Sequence, residues 1–329
     1  MHLWEIADLS TPWSLFVVAT LRIADRIEAG TTGVEQLADE SGAHAGSLAR
    51  VLRQLVNKGI FEEPAPGSFA LNEPARQLLG EGRFGFDLEG FGGRMAHAWS
   101  TMLSAVRTGK PAYREVFGRD YWEDLEAHPE IAAQFDVLMG PAGHGAPDPN
   151  VLPDPADWPK IQTVVDIGGG TGSQLAEVLR AHPHLRGILV DLPRTVARSH
   201  EIFGPAGVAD RVTTSGQSFF DPLPAGCDLY LLKSVIVDWP DTEAQAILTR
   251  CAEAARPNSR VVIVNGVVPQ DPAPPELLML VLVGGKQRSL AEFQVLARAA
   301  GLEVSSTTQQ PSGRFLVECR VTSPSPHSS

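Results

Sequence analysis

The segment Val164-Val165-Asp166-Ile167-Gly168-Gly169-Gly170-Thr171-Gly172 constrains this chain more than any other. An apolar run ending in an acid passes into a glycine-rich turn and then into a helical pattern. Glycine lets the backbone turn tightly and lets a ligand approach where a Cβ would stand in the way. The helix that follows offers free N–H groups at the same point. A second apolar run, Ile188-Leu189-Val190, ends in Asp191, nineteen residues beyond Gly172. A carboxylate at the end of a second strand can accept hydrogen bonds from a ribose diol.

The surroundings fit this reading. Strands are expected at Val164–Ile167, Ile188–Asp191, Val212–Thr214, Leu229–Lys233, Val261–Val264, Leu302–Ser306 and Phe315–Cys319, with helices between the first five. Such alternation predicts a parallel sheet covered on both faces. The last two strands are joined by a short polar stretch holding Pro311, Ser312 and Gly313, so an antiparallel strand closes the sheet. The fold class is therefore α/β, with a seven-stranded, mostly parallel Rossmann-like sheet.

The N-terminal third reads as helical. Phe16, Ala19, Thr20, Ile23 and Ile27 share one helical face, and Leu48, Val51, Leu52 and Leu55 another. Thr32 and Glu35 have capping-box spacing, and Gly59 suits a C′ position. Ile60-Phe61, the Pro64–Gly67 turn and Phe69-Ala70-Leu71 predict a hairpin, so the pattern is a winged helix. Its third helix carries no basic run, and the net charge is −12, which argues against nucleic acid and for a protein–protein role. Residues 85–145 predict helices rich in large side chains, and the Pro-dense 146–160 a linker. We expect a winged-helix-like dimerisation domain at 1–85, a helical substrate-pocket and linker region at 86–150, a cofactor-binding domain at 151–321 and a disordered tail at 322–329. No long apolar run or N-terminal signal is visible, and three scattered cysteines fit a reducing cytoplasm. No metal-ligand spacing appears.

The glycine turn fits a dinucleotide poorly. The dinucleotide fingerprint wants Gly or Ala where this chain has Ser173. Asp166 would also sit near a pyrophosphate and repel it. S-adenosylmethionine (SAM) has no phosphate and carries a positive ammonium and sulfonium, so electrostatics favour SAM.

These features together resemble the SAM-dependent small-molecule O-methyltransferases, which include plant phenol methyltransferases and bacterial enzymes that tailor polyketide antibiotics. The resemblance runs through Gly93–Trp99, Arg107–Tyr113, Asp166–Gly172, Phe219–Pro224, Leu231–Lys233, Asp238–Asp241, Met279-Leu280 and Gly284-Gly285. It implies a homodimer, a small aromatic substrate from secondary metabolism, and S-adenosylhomocysteine (SAH) as product. It implies that Asp166, Gly168, Gly170 and Gly172 form the SAM loop and that Asp191 holds the ribose. Phe219 would flank the adenine, Trp239 would pack near it, and Lys233 would line the nucleoside pocket. Leu192, Ser218 and Ser234 complete the cofactor set, with Ser218 standing where the family usually has Asp. Trp99, Met102, Phe135, Met139, Met279 and Val283 fall at or beside positions that hold aromatic substrates, although core packing explains each of them as well.

One departure bears on the chemistry. Phenol-methylating members carry a general-base histidine where this chain has Val237, and two supporting acids are replaced by Asn265 and Gln287. His97, His144 and Asp238 are weak alternative bases. Transfer from a sulfonium needs in-line placement at about 3–3.5 Å. A base matters only when the nucleophile must lose a proton, as a simple phenol with a pKa of about 10 does. The expected reaction is therefore methylation of an aromatic oxygen by proximity and orientation. N- or C-methylation is an alternative. So is SAM-dependent chemistry without methyl transfer, such as hydroxylation, decarboxylation or a pericyclic rearrangement.

Overall fold

The structure, a computed structural model, describes residues 3–140 and 146–322. The tail beyond residue 322 and His144 lie outside the described residues. The chain divides into two compact units: Met1–Ser100 with Trp122–Leu138, and Thr101–Tyr121 with Met139–Ser329.

The first unit is helical with one small ribbon. Helices Ser10–Thr20, Ile23–Glu28, Val34–Ser41 and Ala45–Val56 precede β1 (Glu62–Ala65) and β2 (Ser68–Ala70), which pair antiparallel. Ile23, Leu37, Leu52, Leu55 and Phe69 are fully buried together. Removing each such side chain from water contributes about 1.5–3 kcal/mol. The sequence pattern 16–27 falls on two helices, because Arg22 adopts a left-handed backbone (φ +53°) between them. Thr32 does not form a capping box. Gly33 is the N-cap of Val34–Ser41 with no side-chain cap, and the Thr32 carbonyl accepts the Phe69 amide. Ribbon pairing has claimed the backbone that the cap would have used. Gly59 does close its helix: it has φ +75°, and Ile60 N–H reaches the Leu55 carbonyl while Gly59 N–H reaches that of Val56.

In the second unit the strands are β3 (Thr163–Ile167), β4 (Arg186–Asp191), β5 (Val212–Gly216), β6 (Leu229–Lys233), β7 (Arg260–Val264), β8 (Val267–Val268), β9 (Arg288–Ser289), β10 (Leu302–Gln309) and β11 (Phe315–Val321). Seven of them form one sheet in the order β10-β11-β7-β6-β3-β4-β5. The five strands β3 to β7 run parallel, and β11 runs antiparallel to both β7 and β10. β8 and β9 form a separate parallel pair. Alternate residues of β3 enter different cores, Val165 and Ile167 one and Val164 the other. This two-sided burial is why the parallel strands read as continuous apolar runs. Parallel β3, β4, β6 and β7 all end at the same edge, where ligands of open α/β sheets bind.

The Pro-dense stretch is packed structure. Val151, Leu152, Trp158 and Ile161 lie in the core. Gln174 holds Asp148 through both its amide atoms, Oε1 accepting the backbone N–H and Nε2 donating to the carbonyl. Gln310 Nε2 donates to the Asn150 carbonyl. Proline fixed φ here without marking a free linker.

Candidate active site at the carboxyl edge of the sheet

The turn after β3 is built by sterics. Gly168, Gly170 and Gly172 have φ of +64°, +61° and +96°. A Cβ on Gly172 would collide with Phe203, and one on Gly168 would come within 2.8 Å of Val235. Gly170 faces open space. Its N–H donates to Asp191 Oδ2 at 2.8 Å, and Leu192 N–H donates to Asp191 Oδ1 at 2.8 Å. The acid at the end of β4 is thus held against the turn by two backbone amides.

Asp166 lies beneath the turn. Its side chain is buried, and neither oxygen has a hydrogen-bond partner. A Cβ on Gly169 would sit 2.6 Å from Oδ2. Burial pushes this carboxyl up to about 7; the Lys233 charge pulls against that shift and Asp191 adds to it. Lys233, at the end of β6, is pushed down to about 8, chiefly by burial. Its Nζ donates to the Ala146 carbonyl at 3.2 Å, which Arg314 also grips.

The aromatic wall assembles beside this turn. The Phe219 ring lies 3.5 Å from the Cβ position of Gly168. Trp239 meets Phe219 edge-on at 5.8 Å and Phe220 at 5.0 Å. Ser218 Oγ accepts the Phe220 N–H, so it shapes this loop. Ser234 follows β6 with φ +57° and accepts a hydrogen bond from Asn265. The cofactor candidates named from the sequence therefore gather at one edge.

Val237 is 8% exposed, on the turn Ile236–Asp238. This turn is clamped by Arg288, which is fully buried and was not singled out from the sequence. Arg288 donates to the carbonyls of Ile236 and Trp239 at 2.7 Å each, and to Asp241 Oδ1 at 2.9 Å. An isolated arginine in a two-residue strand gave no periodic signal. Ser289-x-x-Glu292, which forms a true capping box, is the nearest legible marker. Asp238 adjoins Val237, and burial pushes its carboxyl up to about 7. The helix Leu277–Leu282, carrying Met279, packs on Met102–Thr108, and Val283 N–H bonds the Met279 carbonyl. Met139, in the same unit, is 38% exposed. Trp99, Phe135 and His97 belong to the first unit: Phe135 packs on Phe91, Trp99 is exposed, and His97 is exposed beside Trp13. Among the described histidines of the second unit, His184 and His200 bond backbone carbonyls and His182 stacks on Trp158. No cluster of described residues could hold a metal ion.

Glycine turn, paired acids and aromatic wall on this sheet define a SAM-dependent methyltransferase, and comparison with known proteins agrees. The chain belongs to the O-methyltransferase domain family, which it matches over residues 99–303, while residues 4–81 match the O-methyltransferase dimerisation domain. It is 40% identical, over 91% of each chain, to 2,7-dihydroxy-5-methyl-1-naphthoate 7-O-methyltransferase of Streptomyces carzinostaticus. It is 36% identical, over 92% of this chain and 84% of the relative, to the aclacinomycin 10-hydroxylase of Streptomyces purpurascens. Among solved structures it resembles an O-methyltransferase from neocarzinostatin biosynthesis in complex with SAM and 2-hydroxy-5-methyl naphthoic acid. The TM-score is 0.88 and the identity 38%, over 98% of this chain and 99% of the other.

Proposed function

We propose that this enzyme transfers the methyl group of SAM to an oxygen of a small hydroxylated aromatic acceptor, of the bicyclic acid kind, by positioning and without a side-chain base. The observation that carries the reading is that three positions at this edge carry no charge: buried Val237, and the amides Asn265 and Gln287, whose polar atoms lie 3.5 Å apart. The naphthoate-methylating relative supports the acceptor class. A phenol beside a carbonyl ionises more readily than one with a pKa of about 10, so it reaches the site as a nucleophile.

In this reading Gly168, Gly170 and Gly172 line the cofactor, Asp191 and Leu192 hold the ribose end, and Phe219 and Trp239 cover the adenine. Asp166 and Lys233 set the local charge. SAM supplies the electrophilic methyl, and release of neutral SAH follows transfer. Met279, Val283, Met102 and Met139, all of the second unit, are the candidates for apolar contact with the acceptor. The apolar residues Leu3, Trp4, Ile6 and Leu9 are strongly exposed, which suits a homodimer built through the first unit. The reduced state of Cys227, Cys251 and Cys319 suits a cytoplasmic enzyme of antibiotic tailoring.

Incubation with SAM and 2,7-dihydroxy-5-methyl-1-naphthoate should give a product heavier by one methyl and one equivalent of SAH. The hydroxylase relative motivates a second reading, in which bound SAM is retained and the acceptor is changed otherwise. Product formation that needs SAM but yields no SAH would favour it. N- or C-methylation would be seen as transfer to amines or ring carbons in the same assay.

A further inference from the structure

At the carboxyl ends of β6 and β7 three neutral polar side chains form a line. Asn265 Nδ2 donates to Ser234 Oγ at 3.0 Å, and Gln287 Nε2 lies 3.5 Å from Asn265 Oδ1. The far atom, Gln287 Oε1, is buried without a hydrogen-bond partner. Leaving a buried carbonyl unpaired costs about 1–3 kcal/mol. The line runs beside Val237: a Cβ on Gly266 would lie 3.0 Å from Ile236 Cγ1 and 3.3 Å from Val237 Cβ. Ser234 and Asn265 both hold left-handed backbones, φ +57° and +65°. Such positions cost about 1–3 kcal/mol each and cluster where a ligand is gripped.

The line can run in two directions. A serine hydroxyl both donates and accepts, and each amide carries an acceptor on one side and donors on the other. As described, Gln287 presents a carbonyl. With both amides turned over, Ser234 donates to Asn265, Asn265 donates to Gln287, and Gln287 presents its NH2. Neither direction changes the charge at the site.

We propose that Gln287 reads an oxygen substituent of the aromatic acceptor, with Asn265 and Ser234 setting the direction of its hydrogen bond. It accepts from a hydroxyl and donates to a carboxylate or phenolate. This rests on the reading that the acceptor binds beside Val237, and it makes Gln287 a determinant of specificity. An acid at this point would repel an ionised acceptor, whereas an amide receives it in either protonation state.

The test titrates SAH-loaded full-length protein with 2-hydroxy-5-methyl naphthoic acid by calorimetry. Gln287→Glu should weaken the acid by about tenfold or more, because a fixed anionic acceptor replaces a reversible amide. Gln287→Met should weaken it by about three- to tenfold. SAH affinity should stay within about twofold in both. Asn265→Asp suits a left-handed position as well as Asn does, and it should weaken the acid in the same direction, so the test does not depend on one variant folding. Unchanged affinity for the acid in all three variants would overturn the role of the line while leaving methyl transfer intact. Wild-type protein that binds SAH but no hydroxylated aromatic acid would overturn the acceptor reading beneath it.

Discussion

Two stretches of the same sheet edge are built on opposite electrostatic plans. The cofactor side, at the ends of β3, β4 and β6, gathers Asp166, Asp191 and Lys233, with a buried carboxyl pushed up to about 7 and a lysine pushed down to about 8. The other side, near the ends of β6 and β7, where the acceptor is proposed to bind, gathers Val237, Ser234, Asn265 and Gln287, none of which titrates. Charged side chains cluster at the glycine turn, whereas on the other stretch the Asp238 carboxyl, which burial holds toward its neutral form, is the titrating group beside Val237. In the function proposed above, the contrast means electrostatics spent on holding the sulfonium, with activation of the nucleophile left to the acceptor's own acidity.

The largest expected effect sharpens the charged half. Asp191→Ala removes the acceptor of the Gly170 and Leu192 amides, and with it the ribose contact proposed above. SAM affinity should fall about 100-fold, roughly 3 kcal/mol, by calorimetry. A loss under threefold would contradict the assignment of that acid.

Asp166→Asn should act next. The free carboxyl ionises in the unfolded chain near 3.8 and in the native apo protein near 7. Between these values the native state holds more protons, so this group lowers stability as pH rises from about 4 to about 7 and by a constant amount above. The Asn variant should therefore be more stable than wild type at pH 8, by up to about 4 kcal/mol, with the gain vanishing near pH 4, as read by urea denaturation. SAM carries positive charge and favours the carboxylate, so wild-type SAM affinity should rise with pH through about 7. The variant should lose both that slope and about tenfold in affinity. An unchanged slope would remove Asp166 from the cofactor's field.

Val237→His gives the smallest effect and probes the neutral half. With an acidified phenol as acceptor, kcat should change by less than about threefold, because no proton needs removing in the transition state. A gain of 100-fold would mean that the native reaction lacks a base it needs.

The sheet was legible in the sequence because β3, β4, β6 and β7 are apolar runs, and β3 to β7 begin or end within about two residues of the expected positions. The helix expected between β5 and β6 is absent, the two being joined by an irregular loop, and the edge strand β5 is largely polar. The glycine turn was legible because only glycine fits the positive φ of Gly168 against Val235 and of Gly172 against Phe203. The Thr32 cap was misread because ribbon pairing competes for the same carbonyl, a long-range contact that local spacing does not carry. Arg288 escaped notice since its worth lies in the carbonyls of Ile236 and Trp239 and the carboxylate of Asp241, all distant in sequence. The 146–160 stretch was misjudged because proline density marks rigid, hydrogen-bonded chain as readily as it marks linkers.

Base-free transfer is tested most directly by kcat against pH for two acceptors whose phenols differ by about two pKa units. If the substrate brings its own nucleophile, the rise in kcat should move with the acceptor, by about the same two units. A rise fixed near pH 7 for both acceptors, abolished by Asp238→Asn, would instead make that enclosed carboxyl the base and contradict the neutral-site mechanism.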